Sequence, residues 1–139
     1  MHEYVIEGGF PIKGTIRASG NKNAALPCIA AALLTSSPVI LRNIPDIEDT
    51  AIMLNILRSF GASAEKIDSG AWKIEAKTVQ CACIPAELSK KIRASILFAG
   101  PMIARCGKAQ MLPPGGDVIG RRRLDTHFLA LTKLGAQVE

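Results

Sequence analysis

Short apolar runs alternate with amphipathic segments along the chain, and this alternation predicts strands interleaved with helices. Strands are predicted where apolar and β-branched residues lie between Gly, Pro and Asn breakers, at residues 4–6, 14–18, 38–42, 64–67, 72–76, 108–112 and 137–139. Helices are predicted where apolar residues recur at helical spacing, at residues 24–34, 48–60, 85–104 and 124–134. The pattern favours an α/β (α+β) fold in which residues 64–76 form a hairpin.

An internal repeat underlies this order of elements. Residues 49–65, which include the helix stop Gly61, are similar to residues 125–139, which include Gly135. A small-residue helix, a strand and a loop containing proline precede each copy. The second copy stops on the first residues of its strand, and a repeat unit seldom buries its apolar face without its neighbours. We therefore expect the chain to be a fragment of a longer protein.

The composition is that of a globular domain or of a piece of one, since 48% of the 139 residues are hydrophobic and 21% are charged. Aromatic residues make up 4%, so the core must be aliphatic and platforms for stacked bases are scarce. The formal net charge of +5 suits an anionic partner, although a solubility role alone would give the same balance.

The sequence predicts a cytoplasmic protein with no membrane partner. No segment reaches the ~18 apolar residues that cross a bilayer, and the N-terminus lacks a basic region followed by an apolar stretch. The cysteines do not have zinc-site spacing and are expected to be free thiols, so no metal is predicted. They are Cys28, Cys81, Cys83 and Cys106.

The first candidate site is the polar stretch 20–23 at the start of a predicted helix. Exposed N–H groups and the positive end of the helix dipole favour an anion there. Lys22 adds a full charge, and the Asn23 amide can donate to a phosphate or carboxylate oxygen. The alternative is an ordinary Asn cap followed by a solvated lysine.

The second candidate is Arg93, in the predicted helix 85–104. Helical spacing places it on the stripe of Leu97 and Gly100, whereas Lys90 and Lys91 can point to water. A guanidinium close to a buried face usually has a fixed anionic partner. A structural salt bridge is the alternative interpretation.

The third candidate is the loop 113–120 with the arginines that follow it. Two prolines and three glycines make sharp turns around Asp117, and a helix begins after Arg121, Arg122 and Arg123. The helix dipole and at least one guanidinium can therefore face the same anion, while Asp125 caps the helix or accepts hydrogen bonds from a ligand. The alternatives are a solvated or nucleic-acid-binding arginine run and an aspartate that only makes a turn. The loop matches neither a P-loop nor a dinucleotide fingerprint.

In order and spacing, residues 19–27, 93–96 and 112–127 together resemble the UDP-N-acetylglucosamine 1-carboxyvinyltransferases of the EPSP synthase/enolpyruvate transferase superfamily. The chain covers only the N-terminal portion of that longer family. The resemblance implies two lobes, each an inside-out α/β barrel of repeated βαβαββ units, with the active site between them. Residues 1–21 would belong to the other lobe and the hinge, and residues 22–139 would form a partial lobe of about one and a half repeats.

The resemblance also implies an activity that uses no cofactor. The family transfers the enolpyruvyl group of phosphoenolpyruvate to the 3-hydroxyl of UDP-N-acetylglucosamine and releases phosphate, in the first committed step of peptidoglycan synthesis, on which cell shape and division depend. The expected partners are these two substrates and the remainder of the parent polypeptide, without nucleic acid. We expect the chain alone to be inactive.

Residue roles follow from the matched motifs. Asp117 would protonate the methylene carbon, with Lys22 and Arg122 stabilising the phosphate and carboxylate charges. Lys22, Asn23 and Arg122 would bind phosphoenolpyruvate. The residues implied for UDP-N-acetylglucosamine are Arg93, Arg122, Arg123, Leu124, Asp125 and Thr126.

Two positions depart from the family pattern. Most members carry Cys where this chain has Asp117, and an aspartate can supply the proton if burial and nearby anions raise its pKa. It cannot form a thioether with an epoxide, which predicts resistance to fosfomycin. Arg123 stands where the family usually has Pro, which would fix the backbone at the helix start.

Three other functions stay open at this point. A 3-phosphoshikimate 1-carboxyvinyltransferase-like enzyme shares the fold and the reaction, but the Gly-Gly-Asp loop and the arginine run favour the UDP-sugar enzyme. A non-catalytic fragment or degenerate paralogue would keep the fold without turnover. RNA binding through residues 121–123 is disfavoured because aromatic residues are missing around them.

Overall fold

The computed structural model describes residues 3–80, 83–116 and 123–139. The structure combines helices with one small sheet, and two of the helical segments are 3-10 helices. In chain order the elements are α1 (Lys22–Ala31), a 3-10 turn (Ala32–Leu34), β1 (Val39–Leu41), α2 (Glu48–Ser59), β2 (Ser63–Asp68), β3 (Ala71–Glu75), α3 (Ala86–Ser89), a 3-10 helix (Arg93–Phe98), α4 (Ala99–Cys106) and α5 (Asp125–Lys133).

The sheet is formed by β1 and by the hairpin that follows α2. Strand β3 pairs antiparallel with β2 on one side and with β1 on the other, giving the order β1-β3-β2. Gly61 ends α2 at a φ of +85°, and Gly70 turns the hairpin at a φ of +67°. The helix predicted at 48–60, the strand at 38–42 and the hairpin at 64–76 are thereby confirmed.

The core lies where α1, α2, the sheet and the 3-10 helix Arg93–Phe98 meet. Ile29, Leu57 and Ile74 are completely buried there. Phe60 and Phe98 join them edge to face, with ring centroids 5.6 Å apart. Apart from this one aromatic pair the buried side chains are mostly aliphatic, as the composition predicted.

The helix predicted at 85–104 is wrong as one continuous element. It breaks after α3 because the carbonyls of Ser89 and Lys90 accept the N–H groups of Gly115 and Gly116, at 3.0 and 3.1 Å. In an unbroken helix those carbonyls would accept from residues four positions further along. Ile92 is extended, with φ −141° and ψ 129°, so Arg93 begins a 3-10 helix rather than lying within an α-helix.

The strands predicted at 4–6, 14–18, 108–112 and 137–139 are not formed in the described part of the chain. A strand needs a neighbour for its backbone donors and acceptors. Residues 3–19 have none, and their apolar side chains reach 89% exposure at Tyr4 and 99% at Ile12. Helix α5 forms as predicted and ends at Lys133, two residues before Gly135, but none of its residues is buried.

The expectation that all four cysteines are free thiols is wrong. Cys28 and Cys83 are free thiols, whereas Cys106 is disulfide-bonded, because spacing along a sequence does not report distance in space. Cys81 lies outside the described residues. Across the described helices, none combines the length and the apolar character needed to span a membrane.

Candidate functional site

The first candidate site lies at the start of α1. Asn21 is extended, and its side-chain oxygen accepts the N–H of Ala24 at 3.0 Å, so Asn21 is the N-cap. The Asn cap expected as the alternative is therefore present, and it places Lys22 and Asn23 in the first turn. Gly20 packs so tightly that an added Cβ would lie 1.7 Å from the carbonyl oxygen of Asn43.

Lys22 is not merely solvated. Its ammonium lies 2.7 Å from a carboxylate oxygen of Asp49, in the first turn of α2. The two side chains are 52% and 35% exposed. Sequence reasoning missed Asp49, although an acidic residue in the first turn of a predicted helix was a visible signal.

Lys22, Asn23 and Arg93 line one cleft, which has a volume of about 680 Å³. Gly116, the last described residue before the predicted acid, also lines it. Among the described residues, the charged ones that line the cleft are Lys22, Glu48, Asp49, Lys91 and Arg93. Three cations against two carboxylates leave this cleft net positive, which favours a small anion.

Arg93 connects this cleft to the segment that begins α5. Its guanidinium Nη2 donates to the carbonyl oxygen of Arg123 at 2.7 Å. The guanidinium of Arg123 pairs in turn with the carboxylate of Asp125. Two of the predicted sites, 112–127 and Arg93, are thus in direct contact although 30 residues separate Arg93 from Arg123.

The glycines of the loop are anchored by backbone contacts. Gly115 donates its N–H to Ser89 O at 3.0 Å, and an added Cβ on Gly115 would lie 1.8 Å from Lys90 O. The buried hydroxyl of Ser89 also donates to the carbonyl oxygen of Leu112, directly before the loop, at 3.2 Å. Sequence reasoning predicted the loop but not this anchor, because its partners lie in another element.

The structure does not bring every predicted residue to the charged cleft. Leu124 lines a larger cavity of about 820 Å³ between α4 and α5, whose walls are mainly apolar. This cavity is larger than the charged cleft. Of the predicted site residues that the structure describes, however, it is lined by Leu124 alone, whereas the cleft is lined by three. Thr126 is exposed in the first turn of α5. We therefore take the smaller, charged cleft as the candidate site.

Two predicted residues cannot be placed. Asp117 and Arg122 lie outside the described residues, so the acid and the second substrate cation stay predictions. Within the described residues, no group of three or more His, Cys, Asp or Glu side chains is arranged to hold a metal ion.

Comparison with known families gives one match along almost all of the chain. The family described as EPSP synthase (3-phosphoshikimate 1-carboxyvinyltransferase) matches residues 6–139. Among solved structures, the enolpyruvyl transferase NikO from Streptomyces tendae aligns with a TM-score of 0.65 and 33% sequence identity, over 72% of this chain and 23% of that one. The enolpyruvate transferase fold predicted from the three motifs is thereby confirmed.

Curated relatives narrow the comparison. The UDP-N-acetylglucosamine 1-carboxyvinyltransferase of Treponema denticola is 64% identical over all 139 residues, which are 33% of its own length. The protein of the same name from Treponema pallidum is 62% identical over 99% of this chain and 32% of its own length. The chain spans about a third of the curated relatives it matches, and the predicted resemblance to their N-terminal portion is confirmed.

Proposed function

The chain belongs to the EPSP synthase (3-phosphoshikimate 1-carboxyvinyltransferase) family, and from this membership we propose that it supplies the N-terminal third of a UDP-N-acetylglucosamine 1-carboxyvinyltransferase. That enzyme transfers the enolpyruvyl group of phosphoenolpyruvate to the 3-hydroxyl of UDP-N-acetylglucosamine and releases phosphate. The observation that carries the proposal is that Lys22, Asn23 and Arg93, which are distant in sequence, line one net-positive cleft.

Phosphoenolpyruvate would bind at the start of α1. The Lys22 ammonium, the Asn23 amide and the positive end of the helix dipole all favour its phosphate and carboxylate groups. Arg122 would supply a second cation. Preorganised cations of this kind stabilise charge that grows at the phosphate as the carbon–oxygen bond breaks.

The chemical steps follow from the substrate. Asp117 protonates the methylene carbon of phosphoenolpyruvate, which leaves an oxocarbenium-like centre. The 3-hydroxyl oxygen of the sugar attacks that centre and releases its proton to water, which gives a tetrahedral phospho-ketal. Phosphate then leaves while the Asp117 carboxylate takes a proton from the former methylene carbon, which yields the enolpyruvyl ether and restores the acid.

UDP-N-acetylglucosamine would bind between the 3-10 helix and the start of α5. Arg93 and Arg123 offer guanidinium donors to its diphosphate, and the contact from Arg93 to the Arg123 carbonyl supports their acting together. Asp125, now paired with Arg123, would accept hydrogen bonds from the nucleotide sugar. Leu124 and Thr126 would complete the pocket.

The division of the chain into lobes belongs to the same proposal. Residues 1–21 would pair with the other lobe and form the hinge, and the exposed apolar side chains of residues 4–16 support this. Residues 22–139 would form a partial lobe that requires the rest of the polypeptide. We place the enzyme in the cytoplasm, in peptidoglycan synthesis.

A chimaera tests the proposal. Residues 1–139 are joined to the downstream two-thirds of the Treponema denticola relative, and phosphate release is measured with phosphoenolpyruvate and either UDP-N-acetylglucosamine or shikimate 3-phosphate. We expect turnover with the UDP-sugar, a fall of about a hundredfold or more for Lys22→Ala, and none from the 139-residue chain alone. Preference for shikimate 3-phosphate would assign the sister reaction named in the family description, and no release with either acceptor would refute both.

A further inference from the structure

Asp49 has no role in the reaction as derived so far, yet it makes an ion pair with the proposed phosphate ligand Lys22, at 2.7 Å. We propose that Asp49 is a positioning residue, which holds the Lys22 ammonium in the cleft and fixes the direction from which it meets the substrate. This inference rests on the proposed function, because it assumes that Lys22 binds phosphoenolpyruvate.

The helix that carries Asp49 is held rigidly at its start. Ile47, the N-cap residue of α2, offers no side-chain acceptor. Instead the buried hydroxyl of Thr50 reaches back to the carbonyls of Pro45 and Ile47, at 2.8 Å each. Ile52 and Met53 on the next turn are buried in the core. The backbone of Asp49 therefore has a fixed place.

The helix that carries Lys22 is locked to the same segment. The Asn21 cap fixes the first turn of α1. Gly20, directly before it, is pressed against Asn43 and lies close to Pro45, in the stretch that leads into α2. Helices α1 and α2 also pack along their lengths. The two residues that make the ion pair thus start from backbone positions that are fixed relative to each other.

Such an arrangement matters more for placement than for stability. A half-exposed ion pair contributes little to folding, but a lysine has a long flexible stem with many rotamers to lose on ordering. A carboxylate on a rigid helix selects among those rotamers, and reaction rates depend steeply on the placement of a catalytic group. The same carboxylate repels an anionic substrate, so it should raise the rate without tightening substrate binding.

Asp46, which lies just before α2, provides a matched control. Asp46 pairs with Lys66 at 3.1 Å, outside the cleft. Asp49→Asn and Asp46→Asn therefore remove one carboxylate charge and one ion pair each, from positions three residues apart. Only the first change touches Lys22.

The kinetic test uses the chimaera of residues 1–139 with the downstream part of the Treponema denticola relative. For Asp49→Asn we expect kcat to fall about fivefold, which corresponds to the free energy that a well-formed ion pair contributes. KM for phosphoenolpyruvate should be unchanged or lower. Asp49→Glu should recover most of the rate, and Asp46→Asn should change neither constant. In a Lys22→Met background Asp49→Asn should cost less than twofold, since no cationic side chain is left at position 22 for Asp49 to hold.

A second test uses the 139-residue chain and needs no turnover. The rates at which Lys22 and Lys66 are acetylated are compared by mass spectrometry. Asp49→Asn should raise labelling of Lys22 relative to Lys66, and Asp46→Asn should do the reverse. If the ratio of Lys22 to Lys66 acetylation were equal in the two variants, Asp49 would not restrain Lys22. This result would contradict the proposal even if the chimaera failed to fold.

The outcomes separate the two proposals. No phosphate release from the unchanged chimaera contradicts the proposed function and this inference with it. Turnover by the unchanged chimaera, together with Asp49→Asn kinetics equal to those of Asp46→Asn, contradicts only the positioning role. A fall in kcat that is equally large in the Lys22→Met background would show that Asp49 acts through the fold, and would also overturn the positioning role.

Discussion

Two glycines beside the cleft are required by the close approach of another backbone segment, not by their torsion angles. An added Cβ on Gly20 would lie 1.7 Å from Asn43 O, and one on Gly115 would lie 1.8 Å from Lys90 O. Real Cβ atoms essentially never come within 3.0 Å of such atoms. Each glycine therefore marks a place where two segments that build the cleft are held in contact.

Substitution at Gly20 should separate the starts of α1 and α2. We expect Gly20→Ala to lower the free energy of unfolding by about 1–3 kcal/mol, the usual cost of overpacking, as measured by urea denaturation. Gly100 in α4 is the control, since an added Cβ there would have no atom from another described segment within 4 Å. Gly100→Ala should raise the free energy of unfolding by about 0.5–1 kcal/mol. Equal effects at the two positions would contradict the close approach.

The aspartate at position 117 gives a prediction of a different kind. A carboxylate lacks the sulfur that opens the fosfomycin epoxide to a thioether, so the chimaera should not be inactivated over time by fosfomycin. Asp117→Cys should make the loss of activity time-dependent and irreversible on dialysis. Inactivation of the unchanged chimaera that survives dialysis would refute this prediction.

At the scale of elements, prediction succeeded where the decisive interactions are local. Helix α2, its glycine stop and the β2–β3 hairpin follow from periodicity and turn residues within about 30 positions. The break after α3 could not be predicted, since the carbonyls of Ser89 and Lys90 are taken by Gly115 and Gly116 from another segment. Lys22, Asn23 and Arg93 were predicted because they lie in recognisable motifs. Asp49, the partner of Lys22, was not predicted, because their contact joins two different helices.

Arg105 illustrates a second long-range tie between elements. Its guanidinium joins the end of α4 to two other segments, donating at 2.9 Å to Leu33 O and at 2.9 Å to Ala76 O. Both acceptors are backbone carbonyls at the ends of helical or strand segments. The residue therefore holds α4 against the end of β3 and the 3-10 turn Ala32–Leu34, without any acidic partner in these contacts.

Removing that guanidinium should be costly. Arg105→Met leaves carbonyls without their donor, and hydrogen bonds from a charged group contribute about 1.5–3 kcal/mol each. We expect the free energy of unfolding to fall by about 2–3 kcal/mol in denaturant titrations. Lys108→Met, which removes the same charge from an exposed side chain nearby, should change it by less than about 0.5 kcal/mol. Equal losses would show that charge, not the tie, is responsible.

At the scale of the whole molecule, the two copies of the repeat differ in how well they are covered. In the first copy, α2 and β3 contribute completely buried residues such as Ile56, Leu57 and Ile74. In the second, α5 has no buried residue and borders the cavity of about 820 Å³. The sequence pattern is similar in both copies, so the difference lies in how far other described segments cover each copy, which periodicity cannot report.

This contrast predicts where the chain is cut by a protease. Lys13 and Arg17 lie in the exposed segment 3–19, which has no regular secondary structure, whereas the guanidinium of Arg58 bonds to Asn55 and to Ala64 O within the covered copy. Limited trypsin digestion should therefore cut after Lys13 and Arg17 well before it cuts after Arg58. In the chimaera the proposed second lobe supplies a partner for residues 1–21, so the first two cuts should become markedly slower. Unchanged cutting at Lys13 and Arg17 would contradict the assignment of this segment to the other lobe, while the order of cutting in the isolated chain tests the exposed segment independently.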